Sequence, residues 1–221
     1  MISMNDQNSA NGTPGTVDHV PVLLAHLRLE WLLQHFPARV VWAIYVFING
    51  FITIGLLALL ALLTGSPFVF PSLGPTAYLF FFSPLAEASS PRNTILGHAI
   101  GLICGYGAFA LTVASSPPFG LHPGVHGPRV LAAALSLSAT GALMALFRVS
   151  HPPAGATTLI VSLGIISQPK ELVIIEIAVI LLTAQAFAIN RLAGVPYPLW
   201  RNRNPAETTD ITGTGTPGRD E

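Results

Sequence analysis

Val41 to Leu63 is a stretch of 23 residues in which only Asn49 and Thr53 are plainly polar. A helix of about 20 such residues crosses a ~30 Å hydrocarbon core. No soluble fold hides so long an apolar run easily, so the segment predicts a transmembrane span. Thr94–Ala114, Val130–Phe147 and Leu172–Ile189 are three further candidates. The last two are near the lower length limit, but Arg129, Arg148, Lys170 and Arg191 flank them and mark water interfaces. Charge usage agrees: Lys, Arg, Asp and Glu make up 9% of the chain, about a third of the ~25% usual in soluble domains. Ten basic residues balance ten acidic ones, so nothing points to nucleic acid. The lone Cys104 excludes an intrachain disulfide. The first twenty residues lack a basic start and an apolar core, so the spans themselves are expected to direct insertion.

The reading is an all-α, polytopic transmembrane bundle. Residues 1–19 and 192–221 are polar tails. Residues 20–39 form an amphipathic helix, in which Val22 to Phe36 puts Leu24, Leu27 and Trp31 on one face. That helix either lies on the membrane or caps the bundle. Residues 40–191 form the transmembrane domain.

Two apolar segments are interrupted. Phe68–Leu85 carries Pro71, Gly74, Pro75 and Pro84, and Ser150–Ile166 opens with His151, Pro152, Pro153 and Gly155. Proline removes a backbone donor and restrains the residue before it, so neither reads as one continuous helix. Each reads as a short helix with a defined start, Pro in the first turn and Ser or Gly ahead as cap. The two match each other: Pro71, Gly74 and Thr76 have the spacing P-x-x-G-x-T, repeated by Pro152, Gly155 and Thr157 81 residues later. In the spans that follow, His98 and Glu176 each lie seven residues after the proline of a Pro-base pair, Pro91-Arg92 and Pro169-Lys170. The pattern predicts an internal duplication, residues 41–114 and 130–190. Paired interrupted helices in two halves point to a transporter site near the midplane. Counting Arg and Lys mildly favours six passes, as two inverted repeats of three, over four passes with re-entrant segments. Both layouts place the termini on one side, taken as cytoplasmic.

The run Ser150-His151-Pro152-Pro153-Ala154-Gly155-Ala156-Thr157 resembles the signature of the HPP family of membrane proteins. Pro71-Ser72-Leu73-Gly74-Pro75-Thr76-Ala77 and Ser90-Pro91-Arg92-Asn93-Thr94-Ile95-Leu96-Gly97-His98 resemble two further stretches of that family, in the same order. The resemblance runs from about Val40 to Arg191. It implies a compact bundle of four or more spans and, for some members, nitrite transport. Some related chains carry a soluble regulatory domain after the membrane part, and with about thirty residues after the last span that module is expected to be absent here. A bacterial inner-membrane location follows as an expectation.

The expected function is therefore a transporter or channel for a small inorganic anion. An anion in hydrocarbon costs roughly 2.5 to 3.5 kcal/mol on insertion scales, and helix N-termini beginning inside the bundle would offset it. The expected binding groups are the amides near Gly74 to Thr76 and Gly155 to Thr157, the hydroxyls of Ser72, Thr76, Ser150, Thr157 and Thr158, and a switchable charge on His151. The bland alternative is that these prolines and glycines, Pro71, Pro75, Pro152 and Pro153 among them, only permit tight packing. His98 and Glu176 are ionisable residues within spans and are expected to gate or to carry protons, or else to bond structurally. Gly97, Gly101 and Gly105 form a four-residue glycine repeat that packs against a helix of the same chain or of a second copy in a homo-oligomer. His122 and His126 have metal-compatible spacing, but Pro123, Gly124 and Gly127 argue for a loop, so neither a metal nor a cofactor is expected. A membrane scaffold or sensor without flux, and an intramembrane hydrolase using Ser150 and His151, are the rivals. No enzymatic activity is expected.

Overall fold

The computed structural model describes residues 29–114 and 127–201. Most of both tails, the first part of the amphipathic segment, and His122 and His126 lie outside the described residues. Among the described residues seven α-helices follow in order: α1 (Leu29–His35), α2 (Ala38–Thr64), α3 (Leu73–Phe82), α4 (Pro91–Thr112), α5 (Gly127–Leu146), α6 (Ala154–Ser162) and α7 (Pro169–Leu192). A 3-10 turn, Glu87–Ser89, precedes α4. Helices α2, α4, α5 and α7 are each long and apolar enough to cross a membrane.

Local chemistry sets the helix ends. Ser90 caps α4 by accepting from the Asn93 N–H, and Pro91 follows it at the first helical position. Gln168 and Glu171 form a capping box at the start of α7, again with Pro just inside. Helix α2 stops at Gly65, whose φ of 62° is a left-handed conformation that suits glycine. Inside α2 the polar burden is met locally, since the Thr53 hydroxyl donates to the Asn49 carbonyl at 2.7 Å.

The bundle's outside is apolar and part of its inside is polar, the inverse of a soluble protein. Phe47, Phe51, Leu62 and Leu63 of α2 are all more than 70% exposed, a surface that only lipid would cover favourably. Leu73, Phe80 and Phe81 of α3 interlock with Ile175, Val179 and Leu182 of α7, all fully buried. Polar clasps reinforce this block: Tyr45 Oη donates to Asn190 Oδ1 at 2.8 Å, and Asn190 Nδ2 donates to the Phe80 carbonyl at 3.1 Å. Tyr197, beyond α7, donates to the Ser89 carbonyl.

Hydrogen bonds also show which helix ends lie together. The Leu29 amide donates to the Ala193 carbonyl at 3.0 Å, bringing α1, and α2 just after it, to the end where α7 finishes. The Arg92 amide donates to the Trp200 carbonyl at 2.9 Å, so α4 starts at that same end. The Arg92 guanidinium donates to the carbonyls of Arg148 at 2.9 Å and Phe147 at 3.1 Å, so α5 finishes there too. Arg148 itself turns the chain with a φ of 51°, unusual for a residue with a side chain. At the opposite end Arg129, near the start of α5, donates to the Leu163 carbonyl beyond α6.

Candidate functional site

The glycine repeat determines how closely α6 approaches α4. A Cβ on Gly97 would lie 2.7 Å from His151 Cβ, one on Gly101 2.8 Å from the Ala154 carbonyl oxygen, and one on Gly105 2.7 Å from the Thr158 carbonyl oxygen. No real Cβ fits at such distances, so this face is closed within the chain by α6 and its approach. Of the two partners expected for this face, a helix of the same chain or of a second copy, the first is the one it packs against.

That close approach assembles a polar cluster in which Ser72, Thr76, His98 and His151 are wholly buried and Thr157 is 1% exposed. Ser72 Oγ lies 2.6 Å from Thr157 Oγ1, joining the start of α3 to α6. Thr157 Oγ1 is 2.7 Å from His98 Nδ1. His98 Nε2 is 3.2 Å from His151 Nε2 and 3.1 Å from Thr76 Oγ1, which also lies 3.2 Å from His151 Nε2. His151 Nδ1 is 2.7 Å from the Ala88 carbonyl oxygen in the 3-10 turn. Phe70 seals the side of the His98 ring edge-on.

The partners dictate where the protons sit. A carbonyl only accepts, so His151 carries its hydrogen on Nδ1 and presents a bare Nε2. The contact between the two Nε2 atoms then needs a donor, which must be His98 Nε2–H. His98 Nδ1 is left as an acceptor, filled by the Thr157 hydroxyl, and Thr157 accepts in turn from Ser72. The result is one directed chain, Ser72 to Thr157 to His98 to His151 to the Ala88 carbonyl. Thr76 donates separately to the Ser72 carbonyl at 2.9 Å.

Several expectations need correction. The amides of Ala154, Gly155 and Ala156 donate to the carbonyls of His151, Pro152 and Pro153 at 2.9 to 3.1 Å, so the start of α6 offers no free amides there. Ser72 does not cap α3, its side chain being turned to Thr157. A Cβ on Gly155 would meet Leu137 of α5 at 3.4 Å, which faces it away from the histidines. Gly74, Pro75, Pro71, Ser150 and Pro152 are exposed, whereas Pro153 is buried as the residue leading into α6. Thr158 is buried with its hydroxyl unpartnered, as is Thr140 of α5. Both carboxylate oxygens of Glu176 are likewise buried without a hydrogen-bond partner. Glu176 does not bond to His98; because α4 starts where α7 finishes, the two lie toward opposite ends of the bundle. The sequence reading missed Thr94, 3.5 Å from His151 Nδ1, and the Ala88 carbonyl. Thr94 lies four residues before His98, one helical turn, and that spacing was the available signal. Among the described residues no group of three or more His, Cys, Asp or Glu is placed to hold a metal.

A profile described as HPP, transmembrane region, matches residues 35–198, which takes in every helix from α2 to α7 and the whole polar cluster. The chain belongs to the HPP transmembrane family. The His-Pro-Pro run of this HPP chain supplies His151 to the buried pair and the two prolines to the turn that enters α6. Comparison with curated proteins returned no match. Comparison with solved structures returned none either.

Proposed function

We propose that this HPP protein moves a small inorganic anion across the membrane, nitrite being the first candidate, and that the anion is held where Ser72, Thr76, Thr157 and His98 converge. The observation that carries this reading is a wholly buried imidazole and hydroxyl cluster inside a bundle of apolar spans. Such a cluster is costly in hydrocarbon, and intramembrane ionisable groups are functional by default. Recognition rests on side chains, since the first amides of α6 are engaged, and on charge gained by an imidazole. No catalytic role is proposed: Ser150 is exposed while His151 is buried, so they do not form a dyad.

We further infer six passes in two inverted triplets, α2–α3–α4 and α5–α6–α7, each long, short, long. Helix α2 leaves the end at which α4 begins, so residues 65–90 must carry the chain back across. Residues 149–168 must do the same between α5 and α7. Arg92, Arg148 and Arg191 then share the cytoplasmic side of a bacterial inner membrane, with Arg129 and Lys170 opposite, as the positive-inside rule favours.

Uptake of nitrite into liposomes holding the purified protein, with competing anions and protein-free controls, tests the reading. Saturable, protein-dependent uptake is the expected result, and its absence for every anion would leave a scaffold or sensor. For topology, Arg148→Cys in a Cys104→Ala background should resist an impermeant thiol reagent on intact cells.

A further inference from the structure

We propose that the His98–His151 pair takes up one proton and never two, so that each turnover carries one monovalent anion with one proton and moves no net charge. The inference rests on the transport reading above and adds a stoichiometry to it.

Four ring nitrogens are available, and their surroundings fix how many hydrogens they hold. His151 Nδ1 faces the Ala88 carbonyl and always carries one. The two Nε2 atoms, 3.2 Å apart, have room for a single hydrogen between them. A second, even if turned to Thr76 Oγ1, would leave two cationic rings 4.9 Å apart between centroids in a dry site. His98 Nδ1 is the remaining nitrogen, and its partner is adaptable because the Thr157 hydroxyl donates or accepts equally well. The pair therefore alternates between two hydrogens, neutral, and three, carrying one positive charge, as a single coupled unit.

The added proton changes the hydroxyls as well. When His98 Nδ1 becomes N–H, Thr157 must accept from it and turn its own hydrogen toward Ser72 Oγ, 2.6 Å away. Ser72 had been donating to Thr157 and must now aim its hydrogen elsewhere, within a site where it is fully buried. A bound anion supplies the acceptor. Protonation thus creates both the charge and the free donor that an anion needs, and by linkage the anion favours protonation to the same degree. No bond other than those to the proton forms or breaks, and the proton leaves with the anion on the far side.

The other charged groups on the packed elements are engaged or placed elsewhere. Arg92 of α4 is held by the Phe147 and Arg148 carbonyls and by Asn93 Oδ1. Arg129 of α5 bonds to Leu163 at the opposite end. Glu176 of α7 makes no hydrogen bond to either imidazole. Glu87 meets α4 through its backbone carbonyl, which accepts from Asn93 and Ser90. Facing the pair directly are Thr76 of α3, Thr94 of α4 and Thr157 of α6, all uncharged, with Ser72 reaching them through Thr157.

Two measurements on the full chain test this. In liposomes near neutral pH, nitrite uptake and internal acidification above protein-free controls should match one to one, and imposed potentials of either sign should leave the rate unchanged. A ratio of zero or two, or uptake driven by potential, overturns the inference while leaving transport intact. In detergent, nitrogen-15 histidine spectra, assigned with His98→Gln and His151→Gln, should show His151 Nδ1–H, His98 Nε2–H and a coupling between the two Nε2 atoms. Acidification of the folded protein should add one proton, at His98 Nδ1, and titration of both rings to cations would overturn the inference. A single-proton titration with no nitrite flux would sink the transport reading and leave the proton capacity standing.

Discussion

The α2–α3–α7 block and the α4–α5–α6 block are built on opposite packing rules. The first is filled by large apolar side chains, with Phe80, Phe81, Ile175 and Leu182 fully buried. The second brings backbones together through Gly97, Gly101 and Gly105, and the buried face of α5 is Arg129, Ala132, Ser136 and Thr140. Side-chain volume locks the first block in place. Small residues give the second close contact with little interdigitation, and polar groups occupy the space beside it. The cluster lies where the blocks meet, Ser72 and Thr76 coming from the first and His98, His151 and Thr157 from the second. On the transport reading proposed above, the apolar block carries stability while the junction of the two blocks carries selectivity.

The largest expected effect tests the first block. Phe80→Ala removes a fully buried ring and should cost about 3 to 5 kcal/mol, read as a lowered unfolding midpoint in detergent, while the surviving folded protein transports near the parental rate. Loss of uptake per folded molecule would break the division of labour. Gly101→Ala comes next, because its Cβ would press on the Ala154 carbonyl oxygen at 2.8 Å. Overpacking of this kind costs roughly 1 to 3 kcal/mol, and displacing α6 should reduce uptake more than it reduces stability. The reverse order would mean that the glycine face only supports the fold.

Thr157→Val should be milder for the fold and severe for function. It removes two hydrogen bonds, each worth about 0.5 to 1.5 kcal/mol net, yet breaks the link between Ser72 and His98. Uptake should fall at least about tenfold, the scale of 1.4 kcal/mol in affinity. Thr158→Val should have the smallest effect. Its hydroxyl has no partner, so removing it relieves a desolvation cost of about 1 to 3 kcal/mol, and stability should hold or rise. A clear loss of uptake in this variant would extend the solute path along α6.

The four long spans were legible because lipid imposes a length and a polarity that sequence displays directly. The P-x-x-G-x-T positions fall at or just before the starts of α3 and α6, and two of them, Thr76 and Thr157, are members of the cluster. What the sequence did not display was pairing across distance. His98 and His151 are 53 residues apart and meet only because Gly97 lets the two backbones close. At α6 the amides expected to cradle the anion are engaged for a local reason. The turn through Pro152 and Pro153 is tight enough for its own carbonyls to engage the first donors of α6. Ser150 was grouped with its neighbour by adjacency, yet the chain turns between them and places one outside and one inside.

The glycine ladder also bears on how the protein is made. During synthesis α4 and α5 emerge before α6, and α6 has nine residues, too few to span a bilayer alone. Until α6 arrives, the glycine face of α4 has no intramolecular cover from it, and His98 lacks both His151 and Thr157. A nascent chain halted after α5 therefore lacks the cover that α6 gives the glycine face, and its His98 keeps Thr76 as a partner but has neither His151 nor Thr157. Helix α6 closes the groove and completes the polar cluster together, before α7 arrives to complete the apolar block with α2 and α3.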